Sequence, residues 1–227
     1  MAAWLATPSL TWIGRHAKRG KEAFDELGLL GGFRGTLIHD GWKSYQDLVC
    51  KHGLCNAHHL RELTYVHEEL GQPWAKHMGD LLVSACHEVN SAGQPLQPEQ
   101  VSTFRRAYDD ILAEGEALNP RQPPSGRRGR KKQSKPTNLL GRLRDHASDV
   151  WRFATDVGVP FSNNVAEQAF RMAKVKQKIS GCFRTPEGAD SFCTIRSYVS
   201  TMHKQGANIF RSLALAFQGK TPQPLFS

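Results

Sequence analysis

The apolar pattern of this chain changes at Pro73, and that change constrains the fold more than any other feature. Before Pro73, short apolar runs of strand type alternate with short helical patterns, in the order strand, strand, helix, strand, helix, strand, helix. This order predicts an α/β core over residues 1–72, with a helix over residues 42–50 and a strand over residues 53–57. From Pro73 the pattern becomes that of long amphipathic helices, which predicts a helical insertion over residues 73–160. A helical C-terminal part, residues 161–227, completes the predicted domain organisation.

Positive charge is concentrated in one segment. The formal net charge is +9, and seven Lys or Arg with no acidic residue lie between Arg121 and Lys135. The surrounding stretch, residues 119–136, is rich in Pro and Gly, so it predicts a flexible basic linker. Such a run is either a solvated tract or a contact for the DNA backbone. The candidate DNA-binding residues in it are Arg127, Arg128, Arg130, Lys131 and Lys132.

Cysteine usage and hydropathy indicate a cytoplasmic protein. Five cysteines form no even framework, and no secretory segment precedes them, which favours reduced thiols. No apolar stretch is long enough to cross a bilayer, so no membrane partner is expected. The acid-free start of the chain has the pattern of two short strands around Thr7-Pro8-Ser9 rather than that of a targeting peptide.

Asp40 is the first candidate catalytic residue. It directly follows the apolar run Thr36–His39, which predicts a buried strand. An Asp before Gly41 can simply initiate a turn. Alternatively, the carboxyl end of a buried strand opens into a crevice where α/β proteins place ligands, which makes Asp40 a candidate metal ligand.

Glu167 is the second candidate, near the predicted start of a helix. Its spacing from Asn164 fits a capping box, and Arg171 one turn later would be an ion-pair partner. In the functional interpretation, cations beside Glu167 hold phosphates while the carboxylate holds a metal. The residues on this face are Glu167, Arg171, Lys174 and Lys178, and the opposite face carries Val165, Ala169, Met172 and Ile179. Two carboxylates far apart in sequence can meet at one divalent cation, so Asp40 and Glu167 are predicted to converge.

Two thiols and three imidazoles lie within ten positions: Cys50, His52, Cys55, His58 and His59. Their spacing is not that of a standard zinc finger, although zinc remains an alternative. The preferred interpretation makes Cys55 a small core residue. His58, His59 and Arg61 would then open a helix, where they contact phosphate or support the carboxylates.

Arg184 lies at the tip of a predicted loop after the Glu167 helix, where it either contacts phosphate or is an ordinary loop residue.

Four ordered segments carry a family resemblance: GTLIHDGWKSY at 35–45, LCNAHHLREL at 54–63, FSNNVAEQAFR at 161–171 and KQKISGCFR at 176–184. Together they resemble the catalytic domain of bacterial transposases of the insertion-sequence 66 family. The resemblance implies a ribonuclease-H-like mixed sheet with a helical insertion before the last catalytic residue. It also implies a DDE triad of two Asp and one Glu that binds Mg²⁺, or Mn²⁺, for DNA cleavage and strand transfer. Asp40 matches the second Asp of that triad, and Glu167 matches the Glu.

The same resemblance implies partners and compartment. These are DNA at the insertion-sequence ends and the target, and a homo-oligomer or an intact transposase, in the bacterial cytoplasm.

Three departures from the family pattern affect these expectations. The first Asp of the triad, on a strand upstream of the hairpin, has no counterpart, and Ser162 and Gln168 replace the usual Asp and Arg. We therefore expect a transposase fragment that lacks the first strand and is inactive alone, with unpaired backbone groups on the neighbouring strands. The alternative functions are a non-catalytic DNA-binding or regulatory fragment of a transposase, and a zinc-stabilised module.

Overall fold

The computed structural model of the protein describes residues 2–17, 20–28, 30–123, 132–181 and 183–226, and it has an α/β, mostly helical architecture. The elements in chain order are β1 (Ala2–Ala6), β2 (Thr11–Arg15), α1 (Lys21–Leu27), β3 (Thr36–His39), α2 (Lys43–Gln46), β4 (Lys51–Leu54), α3 (Asn56–Glu68), α4 (Pro73–Ala92), α5 (Pro98–Leu118), α6 (Lys135–Asp145), α7 (Ala147–Val150), α8 (Arg152–Thr155), α9 (Asn164–Ser180), α10 (Pro186–Lys204) and α11 (Ile209–Phe217).

The chain divides into two compact units. The central unit is Arg34–Asn163, and the terminal unit combines Met1–Phe33 with Asn164–Ser227. The domains predicted from the sequence were contiguous, whereas the terminal unit joins the two ends of the chain. The reason is that the N-terminal hairpin packs on a C-terminal helix, a long-range contact that local patterns do not encode.

The sheet of the central unit contains β3 and β4, which pair in parallel. Leu37 lies opposite His52, and His39 lies opposite Leu54. At Gly53 a Cβ atom would lie 2.6 Å from Cδ1 of Ile38, so a larger residue there would require the Ile38 side chain to shift. After β4 the chain leads directly into α3, which begins at Asn56.

Helices build the core of the central unit. Trp74 of α4, Tyr108 of α5 and Trp151 between α7 and α8 are all essentially inaccessible to solvent. The Tyr108 hydroxyl donates to the carbonyl of Leu143 at 2.7 Å, and its ring meets that of Trp151 edge to face at 5.6 Å. Burial raises the pKa of Tyr108, so this hydroxyl remains a donor at neutral pH.

The terminal unit is built around the antiparallel hairpin of β1 and β2, in which Leu5 lies opposite Trp12. Helix α10 packs along β2, and the guanidinium of Arg15 binds the carboxylate of Asp190 through two bonds of 3.0 Å. Ile13 faces inward and packs with Phe170 of α9 and Cys193 of α10.

Several sequence predictions are confirmed and two are corrected. The α/β class, the hairpin around Thr7–Ser9 and the strand before Asp40 are confirmed. The helix predicted for residues 42–50 is limited to α2, Lys43–Gln46, because the strand β4 already begins at Lys51. The strand predicted for residues 53–57 therefore lies earlier, at Lys51–Leu54. In the described part of the chain, the two strand pairs belong to separate two-stranded sheets.

None of the helices in the described ranges is both long and apolar enough to span a membrane.

Candidate active site

The carboxylate of Asp40 lies at the carboxyl end of β3. Leu37 and His39 are buried in the strand, and Asp40 is exposed immediately after it. Its Oδ1 accepts a hydrogen bond from the N–H of Trp42 at 3.1 Å, across Gly41, which has a φ of +84°. The structure thus shows the turn that was one interpretation of Asp40, and the carboxylate is also exposed to solvent.

A pair of imidazoles, one buried and one half-buried, lies behind this turn. His39 is 3% exposed, and its Nδ1 accepts from the N–H of Gly41 at 3.1 Å. Its Nε2 lies 3.2 Å from Nδ1 of His52, whose Nε2 lies 3.0 Å from the carbonyl oxygen of Leu48. Burial first, and then the neighbouring His52, lower the pKa of His39 to about 4, so the ring is neutral at pH 7.

The sequence-based site prediction missed this pair. The signal that could have found it is His39 itself, a polar residue at a buried position of an otherwise apolar strand. Such a residue needs hydrogen-bond partners in the fold.

His58, His59 and Arg61 lie at the start of α3, as predicted, and they occupy different environments. Arg61 is exposed and His58 is half-buried, whereas His59 is 5% exposed. Nδ1 of His59 lies 3.0 Å from Oδ1 of Asn56, whose amide donates to the carbonyl of Val150 at 2.9 Å. Burial, and after it the charge of Arg142, lower the pKa of His59 to about 4. A buried neutral imidazole is a poor phosphate ligand, so the phosphate contact proposed for this helix start falls to Arg61 and His58.

The two thiols considered for zinc differ in burial, because Cys55 is buried and Cys50 is only partly so. Cys55 is 1% exposed, and its Sγ accepts from the N–H of Asn163 at 3.3 Å, in agreement with its predicted core role. Burial raises the pKa of Cys50, which disfavours the thiolate that zinc requires. The hydrogen bond from Asn163 therefore gives Cys55 a role in packing.

Glu167 lies in the first turn of α9, in the terminal unit, and is half-buried. Arg171, Lys174 and Lys178 follow along the helix with exposed side chains, and the ammonium of Lys174 lies 5.9 Å from the centroid of the Phe170 ring. A carboxylate flanked by exposed cations suits a site where a metal and phosphates meet.

The apolar face predicted for this helix needs correction. Val165, Met172 and Ile179 are 49%, 47% and 80% exposed, and the buried residues of α9 are Phe170 and Ala173. The reason is that α9 packs on the hairpin through the stripe that contains Phe170 and Ala173.

The basic linker is only partly described. Arg127, Arg128, Arg130 and Lys131 lie outside the described residues, whereas Lys132 is exposed. Gln133 joins the two ends of the linker: its Oε1 accepts from the N–H of Gln122 at 2.9 Å, and its amide donates to the carbonyl of Gln122 at 3.0 Å. The two ends of the basic linker are therefore held together.

A polar cleft of about 500 Å³ lies beside these joined ends. Two of its cations are compensated, because Arg142 pairs with Glu62 and Arg121 lies 4.0 Å from Asp145. The cleft itself is therefore not a strongly basic surface.

Arg184 is exposed in the segment between α9 and α10, one residue before Thr185, whose hydroxyl caps α10 by accepting from the N–H of Gly188 at 3.1 Å. The capped helix start fixes the end of this segment, so Arg184 is held at the surface of the terminal unit.

Comparison with models of protein families identifies a family for this chain. The family model described as Transposase IS66 family matches residues 3–191, a range that contains both Asp40 and Glu167. Neither the curated proteins nor the solved structures contain a match to this chain.

Proposed function

Because the chain belongs to the IS66 family of transposases, we propose that it forms part of the catalytic centre for DNA cleavage and strand transfer during transposition of an insertion sequence. The observation that carries this proposal is the family match, which spans both candidate carboxylates. We further propose a ribonuclease-H-like fold and a DDE-type centre in which Asp40 and Glu167 are ligands of Mg²⁺, with Mn²⁺ as a substitute.

The donor types of this proposed site fit the metal. Carboxylate oxygens are the ligands that Mg²⁺ prefers, and neither Asp40 nor Glu167 is buried out of reach of an ion. When bound, Mg²⁺ would polarise the phosphodiester and activate the attacking oxygen.

The remaining residues of the proposal hold DNA. Arg171, Lys174 and Lys178 present a line of cations after Glu167, and Arg61 and Arg184 are exposed. These residues would contact phosphates without reading bases. The basic linker, whose ends Gln133 joins, would add further backbone contacts and make binding strongly salt-dependent.

Two of the three carboxylates of a DDE triad have counterparts in this sequence. With a single Asp and a Glu, such a site would offer one carboxylate fewer to hold Mg²⁺. We therefore propose that residues 1–227 alone bind DNA but cleave it poorly, and that cleavage requires a third carboxylate.

Strand cleavage tests the proposal. Two proteins are incubated with labelled insertion-end DNA and Mg²⁺. One consists of residues 1–227, and the other carries an added N-terminal strand that ends in Asp. We expect cleavage by the longer version only, and its loss in Asp40→Ala and Glu167→Ala but not in the control variants Asp47→Ala and Glu187→Ala, whose side chains are exposed. Cleavage that survives Asp40→Ala would overturn the assignment of the site.

The alternative function, a non-catalytic DNA-binding or regulatory fragment, is favoured by the concentration of charge in one linker whose ends are joined. Salt-dependent DNA binding without cleavage by either version would support it.

A further inference from the structure

We infer that His39 and His52 are positioning residues that fix the carboxylate of Asp40 at the end of β3. The functional meaning of this inference rests on the proposed role of Asp40 as a metal ligand. The geometry itself lies within the central unit and stands independently of that role.

The hydrogen bonds form a series that begins at the N–H of Gly41 and ends at the carbonyl of Leu48. These two outer groups determine the direction of each bond. The N–H of Gly41 can only donate, so Nδ1 of His39, 3.1 Å away, is an acceptor. The carbonyl of Leu48 can only accept, so Nε2 of His52, 3.0 Å away, carries a hydrogen. The bond of 3.2 Å between Nε2 of His39 and Nδ1 of His52 then needs one hydrogen, and a neutral His39 supplies it.

This series of hydrogen bonds therefore assigns the same tautomer to each of the two rings. Each ring accepts at Nδ1 and donates at Nε2, so no nitrogen of the pair lacks a role.

These bonds restrain the peptide groups around Gly41. The N–H of Gly41 is held by His39, and the N–H of Trp42 is held by Oδ1 of Asp40. Two successive peptide groups of the turn are thus fixed, one by the imidazole and one by the carboxylate. The orientation of the Asp40 side chain is set by the same turn.

The His52 end of the pair is anchored to the body of the unit. His52 lies on β4, which pairs with β3, and its carbonyl accepts from Nε of Arg152. Arg152 in turn pairs with Asp149 at 3.1 Å and with Asp156 at 3.4 Å. The turn of Asp40 is therefore tied to a second strand and to α8, which is the kind of support that a preorganised ligand needs.

The tautomers of the wild-type protein give the first test. In long-range ¹H–¹⁵N spectra of histidine-labelled protein at pH 7, we expect the unprotonated nitrogen to be Nδ1 and the protonated one to be Nε2 in both rings. The opposite tautomer, or exchange between tautomers, in either ring would overturn the inference. This measurement needs no variant, so it decides even if a substitution prevents folding.

A matched pair of variants gives the second test. Asn and Leu have nearly the same shape, but in His52→Asn the side-chain oxygen can accept from His39, whereas in His52→Leu nothing can. One lost hydrogen bond corresponds to about a fivefold change, so we expect the Gly41 amide to exchange about fivefold faster in His52→Leu than in His52→Asn. Equal exchange in the two variants would overturn the inference.

The functional consequence is read from Mn²⁺ affinity, where His52→Leu should weaken binding and His52→Asn should retain it. Equal weakening in both variants would contradict positioning through the hydrogen bond. If wild-type protein binds no Mn²⁺, the proposed function fails, while the tautomers and the Gly41 exchange still decide the role of the pair.

Discussion

The hydroxyl of Thr201 on α10 satisfies both backbone groups of Thr11 on β2: it accepts from the N–H at 3.0 Å and donates to the carbonyl at 3.0 Å. One turn earlier, the hydroxyl of Ser197 accepts from the N–H of Ile13 at 2.8 Å. The match is geometric, because four residues of helix rise about 6 Å and two residues of strand rise about 6.6 Å. Side-chain hydroxyls of α10 therefore satisfy backbone groups at the edge of β2, as the backbone of a neighbouring strand would.

Replacing Thr201 by Val tests this pairing. The variant keeps the shape of the side chain but leaves a buried N–H and a buried carbonyl without a partner, so we expect a loss of about 2 kcal/mol in the free energy of unfolding. Thr194→Val is the control, since Thr194 is exposed and its hydroxyl binds only the carbonyl of Asp190 on its own helix. Urea unfolding measures both, and equal effects would show that α10 does not protect the strand edge.

The glycines of the central helices should respond oppositely to substitution. At Gly115 a Cβ would lie 2.7 Å from Leu140 and 2.9 Å from the ring of Trp74, so Gly115→Ala should destabilise by about 1 kcal/mol despite better helix propensity. At Gly79 the nearest atom is Cδ2 of Leu60 at 3.7 Å, an ordinary contact. Gly79→Ala should therefore stabilise by up to about 1 kcal/mol. Thermal unfolding that shifts both variants in the same direction would contradict the packing at Gly115.

His59 should make stability depend on pH. Its folded pKa of about 4 lies below the ordinary 6.5, so between these values the unfolded chain binds a proton that the folded chain does not. Stability is therefore full above pH 6.5 and decreases as the pH falls towards 4, by roughly 3 kcal/mol at most.

The variant His59→Asn isolates this contribution, because its amide nitrogen can still donate to Asn56. We expect a shallower loss of stability between pH 6.5 and pH 4 than in the wild type, measured by urea unfolding at each pH. Parallel curves for the two proteins would show that His59 is not buried in its neutral form.

The basic linker should control the salt dependence of DNA binding. Replacing Arg127, Arg128, Arg130, Lys131 and Lys132 by Gln removes charges that release counterions when they neutralise phosphates. The slope of log affinity against log salt should fall by about 0.9 for each phosphate that the linker no longer neutralises. Fluorescence anisotropy with duplex DNA at several salt concentrations measures this slope. A variant that combines Lys76→Gln and Arg106→Gln is the control. A slope unchanged in the linker variant would assign DNA binding elsewhere.

Local patterns predicted the strand before Asp40 correctly. The apolar run Thr36–His39 corresponds to β3, and Gly93 ends α4 with a φ of +64°. These features depend on residues close together in the sequence, where propensity and turn chemistry act.

Contacts between distant segments could not be predicted in this way. The pairing of Thr11 with Thr201 spans 190 positions, and it determines which strand edge is covered and which face of the neighbouring helices is buried. The exposure of Ile179 and the His39–His52 pair have the same origin, since both depend on which elements become neighbours. Hydroxyls on a helix carry no strand signal in a periodicity analysis.

The proposal that Asp40 and Glu167 are ligands of one divalent cation is tested most directly by Mn²⁺ binding. Electron paramagnetic resonance measures this binding in the wild type, Asp40→Asn, Glu167→Gln and the double variant. If both carboxylates hold the same ion, each single variant weakens binding and the double variant loses little more, because the two effects are coupled. Additive losses, or no loss in either single variant, would contradict a shared metal site.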